Sequence, residues 1–216
     1  MKLIVARRPA ATWNYCVELV RERYANEFGA EVNPNPDAFV AGHSGVVAAD
    51  TVSACAGVTF GSDKPFFSER YLDEDVGSEI ERIYGARPER QRIVEIGPLA
   101  SRQGGAGKEI IRLTPVLMWC LGHRYILCTV TEVLTKVFHT LKIPFSPLQA
   151  ASLDRLSPAE RERWGSYYES RPVTGIIPLN GIASLFTDIT GRYAFTDPEV
   201  TVLEHRAPMH IGMPEG

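Results

Sequence analysis

The sequence lacks the features that mark several broad classes of protein. Its 216 residues carry a formal net charge of −3, whereas a general nucleic-acid binder usually has a basic excess. Its four cysteines form no CxxC pair and stand among apolar neighbours, which is typical of buried reduced thiols rather than of disulfides or a zinc site. Its five histidines have no metal-ligand spacing. We therefore expect no nucleic-acid partner and no bound metal.

Long apolar runs are missing as well. No stretch approaches the roughly 18 residues that a membrane-spanning helix needs, and the chain contains no repeat or low-complexity segment. Residues 1–8 are apolar only briefly before two arginines, which predicts a first strand rather than a signal peptide. A hydrophobic fraction of 44% still supplies one good core. These observations predict a cytoplasmic protein with no membrane span.

The sequence does contain a regular succession of helix and strand patterns. Apolar residues at helical spacing, bounded by glycines or capping residues, predict helices over 12–28, 76–84, 108–121, 131–141 and 158–168. β-Rich runs predict strands over 91–100 and 124–130, and a hairpin over 38–60 whose turn lies at 43–45 or at 50–51. A further short strand is predicted to begin at Ile143.

This order of elements predicts the fold class. Strand, crossover helix and strand over 91–130 imply a parallel pair, whereas the preceding hairpin implies antiparallel neighbours. We therefore predict an α/β protein of the α+β type, with a mixed sheet and helices on both faces. One domain is expected over 1–175, with 176–216 as a C-terminal extension packed on it or at a subunit contact. The chain is expected to be a monomer or a homodimer.

A glycine-rich segment, Arg-Gln-Gly-Gly-Ala-Gly at 102–107, stands where a strand turns into a helix. Such a turn leaves several backbone N–H groups free at the positive end of the helix dipole, which favours a phosphate or pyrophosphate. Gly105 and Gly107 permit close backbone approach, and Arg102 or Lys108 adds positive charge. The alternative is an ordinary flexible turn.

The spacing Arg102-x-x-Gly105-x-Gly107 resembles the phosphate-binding signature of the GCN5-related N-acyltransferase (GNAT) superfamily. A closer similarity is to the thermostable hemolysin family, which resembles the acyl-homoserine-lactone synthases. The segments that carry this second similarity are 69–73, 92–101, 134–144 and 164–168. The resemblance covers roughly residues 15 to 172.

The resemblance implies a GNAT-like domain with a splayed parallel strand pair at its centre. It implies transfer of an acyl group from a phosphopantetheine thioester, on coenzyme A or an acyl carrier protein, to an amine of a small metabolite, with no permanently bound cofactor. Two alternatives stay open: a synthase that acylates S-adenosylmethionine, and a non-enzymatic hemolysin-like protein. The basic residues near the turn suit either an acidic carrier protein or the phosphates of coenzyme A; they are Arg102, Lys108, Arg112 and Lys136.

The resemblance also assigns the donor-binding residues. Backbone N–H groups between Leu99 and Ser101 are expected to stabilise an oxyanion, and the glycine turn is expected to hold the phosphates. The predicted donor-binding set is Leu99, Ser101, Arg102, Gln103, Gly104, Gly105, Ala106, Gly107 and Lys108.

The chain departs from the related sequences at two positions. Phe138 occupies the approximate place of a tyrosine that often protonates the departing thiolate, and a phenyl ring donates no proton. Pro98 stands where asparagine is usual. Because proline has no N–H, the strand is expected to be interrupted there by a bulge or a splay, which suits a widened acyl slot.

Glu95 is the predicted general base, because it lies on a strand between apolar residues and burial raises the pKa of a carboxylate. The alternative is a structural ion pair with Arg92 or Arg124. His139 is a candidate acid in place of the missing tyrosine, with a packed or solvated surface histidine as the alternative.

Further residues are candidates for substrate binding. Glu69 is predicted to bind a cationic acceptor, and Glu132 is expected in the first turn of its helix because of the dipole. Phe138 and Tyr168 are predicted to line the acyl or acceptor pocket, beside Trp164 and Tyr167, although such an aromatic cluster is more often core.

Overall fold

The computed structural model describes residues 1–43, 52–102 and 104–181. Its strands are β1 Lys2–Arg7, β2 Ala38–His43, β3 Val52–Phe60, β4 Ile93–Ser101, β5 Tyr125–Val130, β6 Ser146–Ala150 and β7 Val173–Pro178. Its helices are α1 Ala11–Phe28, α2 Val76–Tyr84, α3 Gly104–Cys120, α4 Glu132–Thr140 and α5 Pro158–Arg163. A 3-10 turn at Phe67–Tyr71 precedes α2, and another at Tyr167–Ser170 follows α5.

The strands form one mixed sheet in the order β1-β2-β3-β4-β5-β7-β6, which confirms the predicted fold class. β4 and β5 are parallel, and the other neighbours are antiparallel. The predicted hairpin is β2 and β3, and both positions proposed for its turn extend into residues 44–51, outside the described residues. β7, at Val173–Pro178, lies between β5 and β6 and continues past residue 175, and the C-terminal extension over 176–216 stays a prediction.

Local sequence signals account for most helix ends. Gly29 and Gly85 end α1 and α2 in the left-handed conformation, as predicted. Thr131 caps α4, its side chain accepting a hydrogen bond from the Leu134 N–H. The predicted capping box of Ser157 and its partner three residues later begins α5.

Two helix predictions were wrong at their ends. α3 begins at Gly104 rather than at Lys108, so the glycine segment is the first turn of the helix itself. α5 ends at Arg163 rather than near Tyr168, because Gly165 has φ +49° and lies directly against α1. A Cβ at Gly165 would lie 2.0 Å from the Phe28 carbonyl oxygen, so this close approach requires glycine.

The helices cover both faces of the sheet. One face packs against α1 and α2, with Leu19 and Ile80 fully buried. The other packs against α3 and α4, where Ile110 contributes to the largest core cluster. Alternation along β4 places Ile93 on the first face and Val94 on the second.

The parallel pair at the centre separates after a short contact. β4 pairs with β5 at three positions, Ile93–Glu95 against Tyr125–Leu127. Beyond them β4 pairs only with β3, whereas β5 pairs only with β7. Opposite Gly57 the register of β4 shifts, so Gly97 and Pro98 form a β-bulge. The predicted interruption at Pro98 is thus confirmed, and the Pro98 ring leaves no room for a side chain at Gly57, where a Cβ would lie 2.9 Å from Pro98 Cδ.

Candidate active site

Two cavities meet where β4 and β5 separate. The first, the apolar cavity, has a volume of about 340 Å³ and extends between the sheet and helices α3 and α4, where Ile110, Leu134 and Phe138 line it. The second, the polar cavity, has a volume of about 460 Å³ and is lined by Arg70, Glu160, Trp164 and other residues. The lining residues common to both are Tyr24, Ile96, Gly97, Thr129 and Tyr167. The two cavities therefore adjoin at the splay, where these five residues lie between them.

Glu95 lies in the polar cavity beside this junction and is only 4% exposed. Its two carboxylate oxygens accept backbone hydrogen bonds from the 3-10 turn, at 3.0 Å from the Phe67 nitrogen and 2.8 Å from the Ser68 nitrogen. The alternative ion pair with Arg92 or Arg124 was wrong, since Glu95 makes no ion pair with any residue in the described part of the chain.

The pKa of Glu95 is raised above its ordinary value. Burial is the largest cause, and the nearby Glu69 carboxylate acts in the same direction. Hydrogen bonds from the Ser68 hydroxyl and from the Phe67 and Ser68 N–H groups oppose the rise without cancelling it. A carboxylate whose pKa is raised accepts a proton more readily than an ordinary glutamate does.

The Ser68 hydroxyl links Glu95 to the junction. Thr129 Oγ1 donates to Ser68 Oγ at 2.9 Å, and Thr174 Oγ1 lies 2.8 Å from Thr129 Oγ1. Ser68 and Thr174 are buried, whereas Thr129 is partly exposed and lines both cavities. Three hydroxyl groups thus form a row of hydrogen bonds whose Ser68 end lies beside the Glu95 carboxylate, which accepts the Ser68 N–H.

Glu69, the predicted ligand of a cationic acceptor, is held by a cation of the chain itself. Arg90 donates to both of its oxygens, at 2.7 and 2.6 Å, and Phe66 and Val76 donate backbone N–H bonds. Burial alone would raise the pKa of Glu69, but these hydrogen bonds outweigh it and hold that pKa below its ordinary value. Glu69 therefore stabilises the 3-10 turn that carries Ser68. Its predicted role in binding a cationic acceptor stays a prediction.

Replacing Arg90 by methionine is expected to lower the free energy of unfolding by about 3 kcal/mol, because it leaves Glu69 buried without its partner. The measurement is denaturant unfolding followed by circular dichroism. Arg82→Met is the matched control, since Arg82 pairs with Glu79 at the surface, where an ion pair contributes about 0–1 kcal/mol. Equal losses for the two variants would contradict a structural role for the Glu69–Arg90 pair.

The predicted phosphate-binding segment lies at the first turn of α3, next to the apolar cavity. Gly107 packs on β4, since a Cβ there would lie 3.2 Å from Ser101 Cβ, and Ser101 and Leu99 line the cavity. Gly105 is exposed, and a Cβ on it would meet no atom within 4 Å. The structure therefore brings predicted donor-binding residues to one end of the cavity, where the first N–H groups of a helix lack intrahelical partners.

The remaining donor-binding candidates lie around this turn or outside the described residues. Gln103 is outside them, and the helix begins directly after it at Gly104. Ala106 packs partly buried against the core, and Lys108 is exposed. Arg102 is exposed and its guanidinium lies 3.6 Å from the Glu22 carboxylate.

Of the other predicted residues, Phe138 lines a cavity, whereas His139, Tyr168 and Glu132 do not. Phe138 is buried and lines the apolar cavity, whereas His139 is exposed near the end of α4 and lines neither cavity. Tyr168 also lines neither cavity, and its hydroxyl lies 2.5 Å from the hydroxyl of Tyr71. Glu132 stands in the first turn of α4, as predicted, paired with Lys136 at 3.0 Å and with an arginine.

Sequence reasoning did not identify Tyr24 and Thr129 as residues of the junction, whereas Tyr167 was among the aromatic residues expected at a pocket and lines both cavities. The rings of Tyr24 and Tyr167 stack with centroids 5.9 Å apart, although 143 positions separate them in the chain. Burial raises the pKa of the Tyr24 phenol, so that it stays protonated in the cleft. A signal was present in part, because Tyr24 falls on the inward side of its predicted helix and aromatic residues cluster around Trp164.

Cys128 also lines the apolar cavity, on the separated part of β5. Burial raises the pKa of its thiol strongly, and the nearby Glu95 acts in the same direction. A thiol that stays protonated is a poor nucleophile. The arrangement therefore favours direct transfer between substrates over a covalent intermediate on Cys128.

Two properties of the described residues bear on other functions. No group of three or more histidine, cysteine, aspartate or glutamate side chains could hold a metal ion in the ranges 1–43, 52–102 and 104–181. No helix within those ranges is both long enough and apolar enough to cross a membrane.

Solved structures with the same fold include several acyl-transferring proteins. BjaI, a coenzyme A-dependent acyl-homoserine lactone synthase, has a TM-score of 0.57 at 12% identity, covering 87% of this chain and 89% of its own. FeeM, an N-acyl amino acid synthase from uncultured soil microbes, has a TM-score of 0.55 at 8% identity, covering 84% and 98%. The mosquito arylalkylamine N-acetyltransferase like 5b has a TM-score of 0.51 at 12% identity, covering 82% and 100%. These likenesses confirm the GNAT-like fold.

Comparison with the curated proteins found no match. A family model gives the assignment instead. The model described as thermostable hemolysin matches residues 6–182, which include both cavities, the Glu95 strand and the glycine-rich turn. The chain is therefore a member of the thermostable hemolysin family, with the fold of the GNAT acyltransferases.

Proposed function

We propose that this protein is an N-acyltransferase that moves an acyl group from a coenzyme A thioester to the amine of a small metabolite. The observation that carries the proposal is the junction of the two cavities beside the buried Glu95 carboxylate. Acyl transfer to an amine needs a bound thioester, a base for the amine and a place where the two reactants meet. The splay of β4 and β5 provides that meeting place.

The apolar cavity suits the acyl group and the arm of the donor. Its lining is mostly aliphatic and aromatic, and the first turn of α3 lies at the end marked by Ser101. Free N–H groups at that turn would bind the donor's phosphates, as they do at other helix N-termini. BjaI is recorded with isopentyl-CoA, which supports an acyl-CoA donor for a protein of this fold.

The isopentyl-CoA of BjaI favours coenzyme A over an acyl carrier protein as the donor. The charges around the turn do not choose between the two, because three of the four predicted cations are paired within the chain. Arg102 pairs with Glu22, Arg112 with Glu109, and Lys136 with Glu132.

The polar cavity suits an amine acceptor. Glu95 is the proposed base, and its raised pKa allows it to accept the proton that the amine loses on attack. Phe67 and Trp164 give the cavity an aromatic wall, with their ring centroids 5.8 Å apart. An amine attached to an apolar or aromatic group fits this combination of side chains.

The proposal is tested by mixing the pure protein with acyl-CoA, or with a loaded carrier protein, and a panel of amines. Release of free thiol and an amide product identified by mass spectrometry would support it. The panel includes amino acids, arylalkylamines and S-adenosylmethionine, and the last would identify a lactone-type synthase. Thioester turnover with none of the amines, together with lysis of red cells by the protein alone, would favour the non-enzymatic alternative.

Phe138→Leu is expected to shift donor preference towards longer acyl chains, because Phe138 lines the apolar cavity and leucine is smaller. One methylene group in such a pocket changes kcat/KM by about 10- to 200-fold, so the ratio of rates for longer and shorter chains should rise about tenfold. Phe145→Leu is the control, since Phe145 packs on Phe138 at 5.6 Å without lining the cavity. An unchanged ratio for Phe138→Leu would place the acyl chain elsewhere.

A further inference from the structure

The geometry points to Thr129 as a further catalytic residue of this site. We propose that its hydroxyl passes the acceptor's proton to Glu95 through Ser68 and then returns that proton to the departing thiolate. The inference rests on the proposed acyl transfer, and it supplies the proton donor that Phe138 cannot be.

The hydrogen bonds of the row have one direction. Thr129 donates to Ser68 at 2.9 Å, which leaves the Ser68 hydroxyl proton free for Glu95, whose carboxylate lies 2.8 Å from the nitrogen of the same serine. Each hydroxyl has one proton, so the contact of 2.8 Å between Thr129 and Thr174 has Thr174 as its donor. The Thr129 proton is therefore already directed towards Ser68, the residue that lies against Glu95.

Thr129 is the member of the row that can reach both substrates. Glu95 and Ser68 line only the polar cavity, whereas Thr129 lines the polar and the apolar cavity. Both oxygens of Glu95 already accept backbone N–H groups, so direct approach by the acceptor is restricted. A proton stored on Glu95 reaches a sulfur in the apolar cavity through Ser68 and Thr129.

The proposed steps balance without a further reactant. The amine nitrogen bonds to the thioester carbon while its proton moves to Thr129, the Thr129 proton to Ser68 and the Ser68 proton to Glu95. When the C–S bond breaks, the sulfur keeps the bonding electron pair. The proton then returns along the same path to that sulfur, so the products are an amide and a free thiol.

A Thr129–Thr174 contact could instead be an ordinary cross-strand pair, because the two residues are register partners of β5 and β7. The two roles predict different results. Thr129→Val is expected to lower kcat about 100-fold with both KM values within threefold, in line with the loss of general acid–base catalysis. Thr129→Ser should restore most of the rate, and Thr135→Val, which removes a hydroxyl that donates to the Thr131 carbonyl within α4, should stay within threefold of wild type.

Two readouts separate proton transfer from simple packing. The solvent isotope effect on kcat should depend non-linearly on deuterium content in the wild type and linearly in Thr129→Val. A thiophenyl ester, whose thiolate leaves without a proton, should recover part of the rate of Thr129→Val. Ser68→Ala interrupts the path at its middle and should reproduce the defect, which covers the case in which Thr129→Val does not fold.

The outcomes distinguish this inference from the proposed function. Wild-type protein that acylates no amine would overturn both. Active wild type with an impaired Thr129→Val, rescued by serine and by the thiophenyl ester, would support the relay. Active wild type with Thr129→Val and Ser68→Ala both within threefold in kcat would overturn the relay and leave the acyltransferase proposal standing.

Discussion

Glu95→Gln is expected to lower kcat for amide formation by about 100- to 1,000-fold, within the range of general acid–base catalysis. Glutamine cannot accept a proton at neutral pH, yet it has nearly the size of the buried carboxyl group. The measurement is steady-state release of thiol at saturating acyl-CoA and amine. Glu132→Gln makes the same chemical change at the exposed start of α4 and should leave kcat unchanged.

The Glu95→Gln substitution also affects folding, because each oxygen of the Glu95 carboxylate accepts a backbone hydrogen bond, one from Phe67 and one from Ser68. The glutamine amide would place its NH₂ group against one of these donors. Circular dichroism and thermal unfolding of Glu95→Gln therefore accompany the kinetics, and Glu95→Asp keeps the charge for comparison. A folded Glu95→Gln with wild-type turnover would remove the base assignment.

The pH dependence of the wild type should report the same residue. A base must be ionised to act, and the pKa of Glu95 is raised by burial and by Glu69. Activity should therefore be lost as the pH falls through a value above that of an ordinary glutamate. Arg90 and Cys128 also lie within electrostatic reach of Glu95. The acidic limb should be absent from the residual activity of Glu95→Gln.

Gly105→Val should raise the KM for acyl-CoA at least tenfold while kcat changes little. A valine Cβ at this position meets no protein atom within 4 Å, so the side chain would extend into the space proposed for the phosphates. Valine is no worse than glycine inside a helix, so stability should hold.

The control for this variant is a donor rather than a second substitution. An acyl thioester of N-acetylcysteamine has the reactive end of coenzyme A without its phosphates. Its KM should be the same for wild type and Gly105→Val. If the KM for acyl-CoA also stays constant, the first turn of α3 does not bind the phosphates.

The elements that position the site were predictable because their signals are local. The β-branched run before Ser101, the glycines after it and the apolar spacing of α4 each lie within a short window, and the structure confirms all three elements. Pro98 predicted the interruption of β4 for a reason contained in one residue, the missing N–H. The start of α3 was misplaced because glycines favour turns in general, yet they are tolerated in the first helical turn.

The chemistry at the junction was less predictable because it depends on contacts between distant parts of the chain. Glu95 was a candidate from its strand, but Phe67 and Ser68, which hold it, are 28 and 27 positions away. Thr129 and Ser68 are 61 positions apart, and no pattern in either segment relates them. Of the two adjacent tyrosines predicted at the pocket, Tyr167 lines the cavities and Tyr168 does not, because their 3-10 turn orients them in a way that apolar spacing alone cannot predict.

The short contact between β4 and β5 has a mechanical consequence. Three register pairs, extended by the Arg124 N–H bond to the Arg92 carbonyl at 2.7 Å, join the strands on one side of the molecule to those on the other. Beyond this seam the two parts of the sheet face each other across the cavities. A substrate that contacts both walls adds cohesion where β4 and β5 no longer pair with each other, so binding energy there also helps to hold the two parts of the sheet together. The residues that recognise the substrates thereby help to set the spacing between the two parts of the sheet.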